Sequence, residues 1–229
     1  MMDAGSSCWH AYYSEVADAG NPWLDLSNPR VHAQSLVLCL EAAGPVRDCA
    51  CLDLGCGYGL LAAALKALGA RSVVGVDIVE SMVERNRRAY PNLEWLQGNG
   101  ADPAFIDALP SFERVFLVEV LQYLDLVAVL PRIWQHVFPG GRLVGMIPNA
   151  ECPIVARSLL RFGERYRAAR IEELATLAET FGDVACWSWR GVSFLSDQRI
   201  VPYRVGPWTT DLAIADPPNR LNVVFIKSD

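Results

Sequence analysis

The stretch CLDLGCGYGLLAAAL, Cys51–Leu65, is a short apolar run, then three glycines at alternate positions, then an alanine- and leucine-rich tail. It reads as a strand, a tight turn and the start of a helix. A strand that turns sharply into a helix N-terminus is a site for a nucleotide-like ligand. Gly55, Gly57 and Gly59 let the backbone turn and let a ligand lie against it with no Cβ between. The dinucleotide fingerprint G-x-G-x-x-G needs its last glycine where this chain has Leu60. Asp53, two residues before the first glycine, would repel a pyrophosphate and suits a ligand with a positive end. No Gly-Lys-Ser/Thr follows, which excludes the phosphate-binding loop.

Working outward, apolar runs alternate with helix-like patterns, as in an α/β domain with a mainly parallel sheet. ACLDLG, SVVGVD, LEWLQG, RVFLVEV and RLVGMIP read as five successive strands. Between them lie helices over 60–68, 81–89 and 126–137, the last stopped by Pro139-Gly140-Gly141. A further helix spans 171–181, and VACWSW and NVVFIK read as a closing antiparallel pair. The region from Trp9 to Ala42 is helical and aromatic, broken at GNPW and SNPR.

The 229 residues suffice for one large domain, and 52% hydrophobic composition argues against disorder. A net charge of −6 argues against a long nucleic-acid footprint. No basic-then-apolar leader opens the sequence, and the most apolar later run carries Glu119 and Asp125, too polar for a membrane span. Seven cysteines in no framework spacing fit reduced thiols in a cytoplasmic protein. Cys49, Cys51 and Cys56 have no partnering histidines nearby, so no metal site is expected.

LDLGCGYG resembles the first motif of class I S-adenosylmethionine-dependent methyltransferases, D-x-G-x-G-x-G. VVGVDIVESMVERNRR is similar to their second motif, with Asp77 closing strand two. LEWLQGNGAD is similar to the end of their third strand, FERVFLVEVLQYL to the fourth, VFPGGRLV to the turn before the fifth, and NRLNVVFIKSD to the last. The resemblance covers most of the chain from residue 48. It implies a Rossmann-like doubly wound sheet of seven strands, mostly parallel with an antiparallel last strand, preceded by an N-terminal helical lid. The whole chain, 1–229, would be one domain: lid 1–45, core 48–229, and a substrate-loop insertion over about 191–220.

The implied cofactor is S-adenosylmethionine. The resemblance puts Asp53, Gly55, Cys56, Gly57 and Gly59 near its methionine end and Asp77 with Ile78 on the ribose. Asn99, Gly100 and Ala101 would meet the adenine, and Val118 and Glu119, at the strand-four exit, are likewise implied as cofactor-binding. NPWLDLSNPRVH resembles the lid of ubiquinone-type O-methyltransferases, which implies Arg30 on the methionine carboxylate. Read singly, Asp77 is also an ordinary helix cap and Gly59 an ordinary packing glycine.

The implied acceptor is a small molecule methylated at oxygen or nitrogen in biosynthesis, with no nucleic acid or membrane partner and a monomer or homodimer as the acting species. His10, Tyr13 and His32 are candidates to assist the acceptor, although histidines in such a segment are more often ordinary packed or solvent-facing ones. Tyr12, Trp23, Tyr123, Asn149, Tyr203 and Arg204 are candidate acceptor contacts. The segment RGVSFLSDQRIVPYRVGPWTTDLAIADPPNR reads as a binding loop or as a surface excursion with aromatic anchors. DPPN, 216–219, is read as a turn, because a methyltransferase motif of that kind belongs at the strand-four exit. Two other readings keep the cofactor: a cyclase or isomerase using the sulfonium electrostatically, and a non-catalytic binding subunit.

Overall fold

Alternation along the strands sorts the core into two layers. Leu52 and Leu54 face one side of the sheet with Val115, Leu117, Leu143 and Phe225; Cys51 faces the other with Phe116, Val144 and Val224. Strands buried on both faces read as near-continuous apolar runs, which is how they appear in the sequence. The computed structural model describes residues 29–162, 167–193, 204–214 and 216–229.

Among these the elements are α1 (Pro29–Ala43), β1 (Ala50–Leu54), α2 (Leu60–Ala67), β2 (Ser72–Asp77), α3 (Glu80–Ala89), β3 (Glu94–Gln97), α4 (Pro103–Asp107) and β4 (Phe112–Val118). A 3-10 turn (Leu121–Tyr123) leads to α5 (Leu126–Gln135), β5 (Val137–Pro148), α6 (Pro153–Phe162), α7 (Ile171–Phe181), β6 (Val184–Ser193), β7 (Arg204–Val205) and β8 (Arg220–Lys227). The sheet runs β3-β2-β1-β4-β5-β8-β6-β7. The first five strands are parallel, and β8 enters antiparallel between β5 and β6. This is the expected doubly wound sheet, with the two-residue β7 added at the edge as an eighth strand. The order reverses at β1, so β1 and β4 flank the switch point where ligands bind in such sheets.

Two local expectations need correction. Pro139-Gly140-Gly141 does not end the strand-five approach as a free turn. It lies inside β5, where a register irregularity against β4 between Phe112 and Arg114 accommodates it. The helices α4 and α6 were not expected. Asp102 caps α4 through the Ala104 N–H, with Pro103 at the first helical position, a start signal in five residues too short for periodicity.

The helix α1 is docked. Cys39 and Ala43 are fully buried. The carbonyls of its last turn are capped by Arg114 Nε on Ala43 at 2.9 Å and Arg142 Nη1 on Ala42 at 3.1 Å. Burial pushes the thiol pKa of Cys39 up, and that of Cys51 up to about 12, so both behave as small apolar groups. Among the described residues all six cysteines are free, no cluster of metal-ligating residues forms, and no helix is long and apolar enough to cross a membrane.

Candidate functional site

The turn after β1 is built from left-handed backbone. Gly55, Gly57 and Gly59 have φ of +78°, +48° and +72°, a conformation in which any Cβ is strained. Their surroundings differ. A Cβ on Gly55 would sit 2.5 Å from Val120, and one on Gly59 2.4 Å from the Trp95 ring. A Cβ on Gly57 would meet nothing within 4 Å. Gly55 and Gly59 are therefore packing glycines, whereas Gly57 faces open space at the mouth of the loop.

Two carboxylates converge on this loop. Asp77, at the end of β2, accepts the Gly57 N–H at 2.8 Å through Oδ2 and the Val79 N–H at 3.0 Å through Oδ1. Burial raises its pKa, opposed by the N–H groups of Val79, Gly57 and Ile78. Asp53 lies deeper, at 3% exposure. Burial pushes its pKa up to about 7, opposed by the backbone N–H of Ala62 in the first turn of α2 and reinforced by nearby Asp77. Its Oδ2 is buried with no partner, one of two such side-chain atoms among the described residues.

Loop geometry is set from behind by Asn86, a fully buried residue of α3 whose Nδ2 donates to the Gly57 carbonyl at 2.7 Å. Arg85 holds the Tyr58 carbonyl at 3.3 Å and stacks 4.4 Å over its ring. Sequence reading missed both. The available signal was Asn86 itself, a polar residue on the apolar Met82/Val83 stripe of an amphipathic helix.

Residues 52–145 match the sequence family described as a methyltransferase domain. Among curated relatives, the chain is 37% identical over 113 residues to a trans-aconitate 2-methyltransferase of Azoarcus, covering 48% of this chain and 44% of that protein. It is 39% identical over 110 residues to a ribosomal protein L11 methyltransferase of Dechloromonas aromatica, covering 46% of this chain and 35% of that one. The chain thus spans less than half the length of these relatives. In fold it is similar to a SAM-dependent methyltransferase of Thermotoga maritima described as a possible histamine N-methyltransferase, with a TM-score of 0.68 at 19% identity, over 94% of this chain and 98% of that one. It is also similar to magnesium protoporphyrin IX methyltransferase of Synechocystis with bound SAM, with a TM-score of 0.65 at 16% identity, over 100% and 99% of the two chains.

S-adenosylmethionine is the cofactor of such a methyltransferase domain, and the residues present fit it. The orphaned Asp53 Oδ2 is an acceptor awaiting a donor or a positive charge. Gly57 opens on space a ligand can fill. Asp77 closes β2 beside the loop, where a carboxylate can take both ribose hydroxyls. At the end of β3, Asn99 spends its Oδ1 on the Ala101 N–H at 3.0 Å, so the amide Nδ2 is what it offers a purine edge. Gly100 and Ala101 are half-buried beside it, and a Cβ on Gly100 would make only an ordinary 3.4 Å contact with Leu54. Ile78 is half-buried beyond Asp77. Cys56 contributes backbone alone: its thiol is buried behind the loop against Asn86.

Strand β4 ends at Val118 and Glu119 follows it, both half-buried. The Glu119 carboxylate is engaged by Arg220 Nε at 2.7 Å. Asn149 is fully buried, and its amide is used up on Pro218 and Glu151 backbone, so it clamps β5 to the segment before β8 and does not face an acceptor. Arg204 is exposed on the edge strand and paired with Asp216. Tyr123 is half-buried on the 3-10 turn. Arg190, one of the arginines expected in the binding loop, is instead buried against α1. His10, Tyr12, Tyr13, Trp23 and Tyr203 lie outside the described residues. Arg30 and His32 fall on the first turn of α1, of which only the backbone is described.

Proposed function

We infer that this protein is an S-adenosylmethionine-dependent methyltransferase acting on a small molecule at oxygen or nitrogen. The observation that carries the reading is the pairing of two acidic side chains, Asp53 and Asp77, with the glycine turn. Such a turn suits a nucleoside with a positively charged tail. When bound, S-adenosylmethionine supplies an activated methyl group on a sulfonium. The chain's own residues then bind and orient. Asp77 holds the loop and takes ribose hydroxyls. Asp53 provides negative potential below the loop. Gly57 keeps the cradle bare. Asn99 and Ala101 border the base.

A small acceptor is supported by the chain's net charge of −6, which does not suit a long phosphate footprint. The single-domain organisation, with residues before α1 covering the strand ends as a lid, belongs to the same proposal. So do Arg30 at the methionine carboxylate, action as a monomer or homodimer, a cytoplasmic setting and a role in biosynthesis. The relatives differ in acceptor by their descriptions, trans-aconitate in one case and ribosomal protein L11 in another.

The test is calorimetric titration of S-adenosylmethionine and S-adenosylhomocysteine into the full chain, followed by turnover assays with amine, phenol and carboxylate acceptors. Saturable binding with S-adenosylhomocysteine released on turnover supports the reading. Binding without that product under any acceptor favours the cyclase or non-catalytic alternatives, and absence of binding overturns all three.

A further inference from the structure

Glu119 is one of two non-glycine residues with positive φ among the described residues, at +55°. A non-glycine residue persists there only when its surroundings hold it, and such positions concentrate at functional sites. Several groups hold this one. Its N–H donates to the Met146 carbonyl at 3.2 Å, and Gln122 Nε2 donates to its carbonyl at 2.8 Å. Its carboxylate turns toward β8, where Arg220 Nε meets Oε1 at 2.7 Å. Register fixes Arg220 on the strand-end rim, opposite Pro148 of β5 and Val192 of β6.

The two partners of this ion pair are not equivalent. Arg220 is committed to the protein: Nε goes to Glu119 and Nη1 to the Asn219 carbonyl at 3.1 Å, and its side chain is 10% exposed. Glu119 is 25% exposed, and among the described residues its Oε2 has only a 3.5 Å contact with Gln122 Nε2. The same Gln122 has a buried Oε1 with no partner. The next residue, Val120, is the wall against which Gly55 packs. Glu119 therefore sits beside the glycine turn, on the β5–β8 side, away from Asp77.

We propose that Glu119 anchors the acceptor, its Oε2 taking a hydrogen bond from an N–H or O–H group, with Arg220 as the residue that positions the carboxylate. The proposal rests on the methyltransferase reading for the presence of an acceptor. It names the class: an amine or a hydroxyl compound, charged or neutral. A carboxylate arriving here would meet the open Glu119 oxygen and be repelled, since Arg220 is already spent.

The experiment uses the full chain. S-adenosylhomocysteine affinity is measured first in wild type, Glu119→Gln, Arg220→Gln and Arg220→Lys. A fragment library split equally among primary amines, phenols and carboxylates is then screened by ligand-observed NMR, with and without S-adenosylhomocysteine. The resemblance counts Glu119 among the cofactor-binding residues, but its carboxylate turns to Arg220 of β8, so on this proposal S-adenosylhomocysteine affinity stays within about threefold across the set. Amine and phenol fragments should bind wild type and weaken about tenfold in Glu119→Gln and Arg220→Gln, with Arg220→Lys recovering most of the loss. Glu119→Gly, which suits the left-handed backbone, serves where Glu119→Gln does not fold. A purely structural ion pair would lower the melting temperature and leave the class preference unchanged, and that result overturns the proposal. So does a library in which carboxylates predominate or no amine or phenol binds. Failure of S-adenosylhomocysteine to bind wild type counts against the methyltransferase reading alone, since the screen of the free protein still decides the role of Glu119.

Discussion

The Asp77 carboxylate accepts the Gly57 N–H at 2.8 Å, so the end of β2 holds the middle of the glycine turn. On the proposed reading the same residue also takes the ribose hydroxyls. Asp77→Ala removes the acceptor for two backbone N–H groups and for the ribose hydroxyls together. Cofactor affinity should fall at least about tenfold, and stability by about 1–3 kcal/mol. Calorimetry with S-adenosylhomocysteine and urea denaturation read the two effects separately. Unchanged affinity would remove Asp77 from the site.

The three loop glycines should fail in different ways. Valine at position 55 or 59 must displace Val120, half-buried against the core, or Trp95 in the packed interior, and should unfold the protein or cost more than about 3 kcal/mol. Gly57→Ala meets no neighbour and bears mainly the left-handed strain, about 1–2 kcal/mol. It should stay folded while losing cofactor affinity, because the added methyl projects into the cradle. Thermal melts with ligand titration distinguish the three. A Gly57→Ala variant that binds like wild type would mean that the ligand lies elsewhere.

The order of strands and the place of the site were legible because the signals are local and repeated. A strand-turn-helix with alternate glycines, and an aspartate closing the next strand, leave little freedom in a parallel sheet. What was hidden depends on distant pairs. Nothing in SNPR or in VACWSWR indicates that Arg190 reaches back 149 residues to Glu41, or that Asn149 closes on Pro218. Glu119 was legible as a strand exit, but its partner Arg220 follows from the β5–β8 register, which single-sequence periodicity does not give.

Asp53 should make binding depend on pH. Burial, reinforced by Asp77, raises its pKa from 3.8 to about 7. The folded protein keeps a proton that the unfolded chain has released. This group's contribution to stability is full below about pH 4, declines as pH rises toward 7, and is flat above, a loss of at most about 4 kcal/mol. A cationic ligand favours the ionised form, so its binding releases a proton below pH 7. S-adenosylmethionine affinity should rise from pH 6 to pH 8 and then level off. Titration in two buffers of different ionisation enthalpy measures the proton directly. Asp53→Asn should abolish the dependence and raise the melting temperature at pH 8. If affinity and proton release are the same at both pH values, Asp53 does not sense the ligand's charge.

The helix α1 should behave as part of the core from about residue 36 onward. Arg190 is buried at 4% exposure and places Nε on Asn222, Nη1 on Glu41 and Nη2 on the Leu38 carbonyl, with Trp208 stacked 4.5 Å away. Arg190 thus ties α1 to β6 and β8, while Arg114 and Arg142 tie its end to β4 and β5. Truncating Arg190 strands the buried Asn222 and Leu38 groups, so Arg190→Ala should cost about 3 kcal/mol. Glu41 is mostly in water and Glu41→Ala should cost under about 1 kcal/mol. Of the lid expected over residues 1–45, residues 1–28 lie outside the described residues, and the described part, α1, packs as a buttress. Amide exchange in 36–43 should therefore be slow in the free protein and change little with ligand, unlike a segment that closes on binding. Deleting residues 1–28 should leave the melting temperature near wild type. Deleting through Ala43 should unfold the protein, because Cys39, Ala42 and Ala43 leave the core and three arginines lose their partners. Fast exchange throughout 36–43, or a folded protein lacking α1, would make the whole N-terminal segment a movable cover instead.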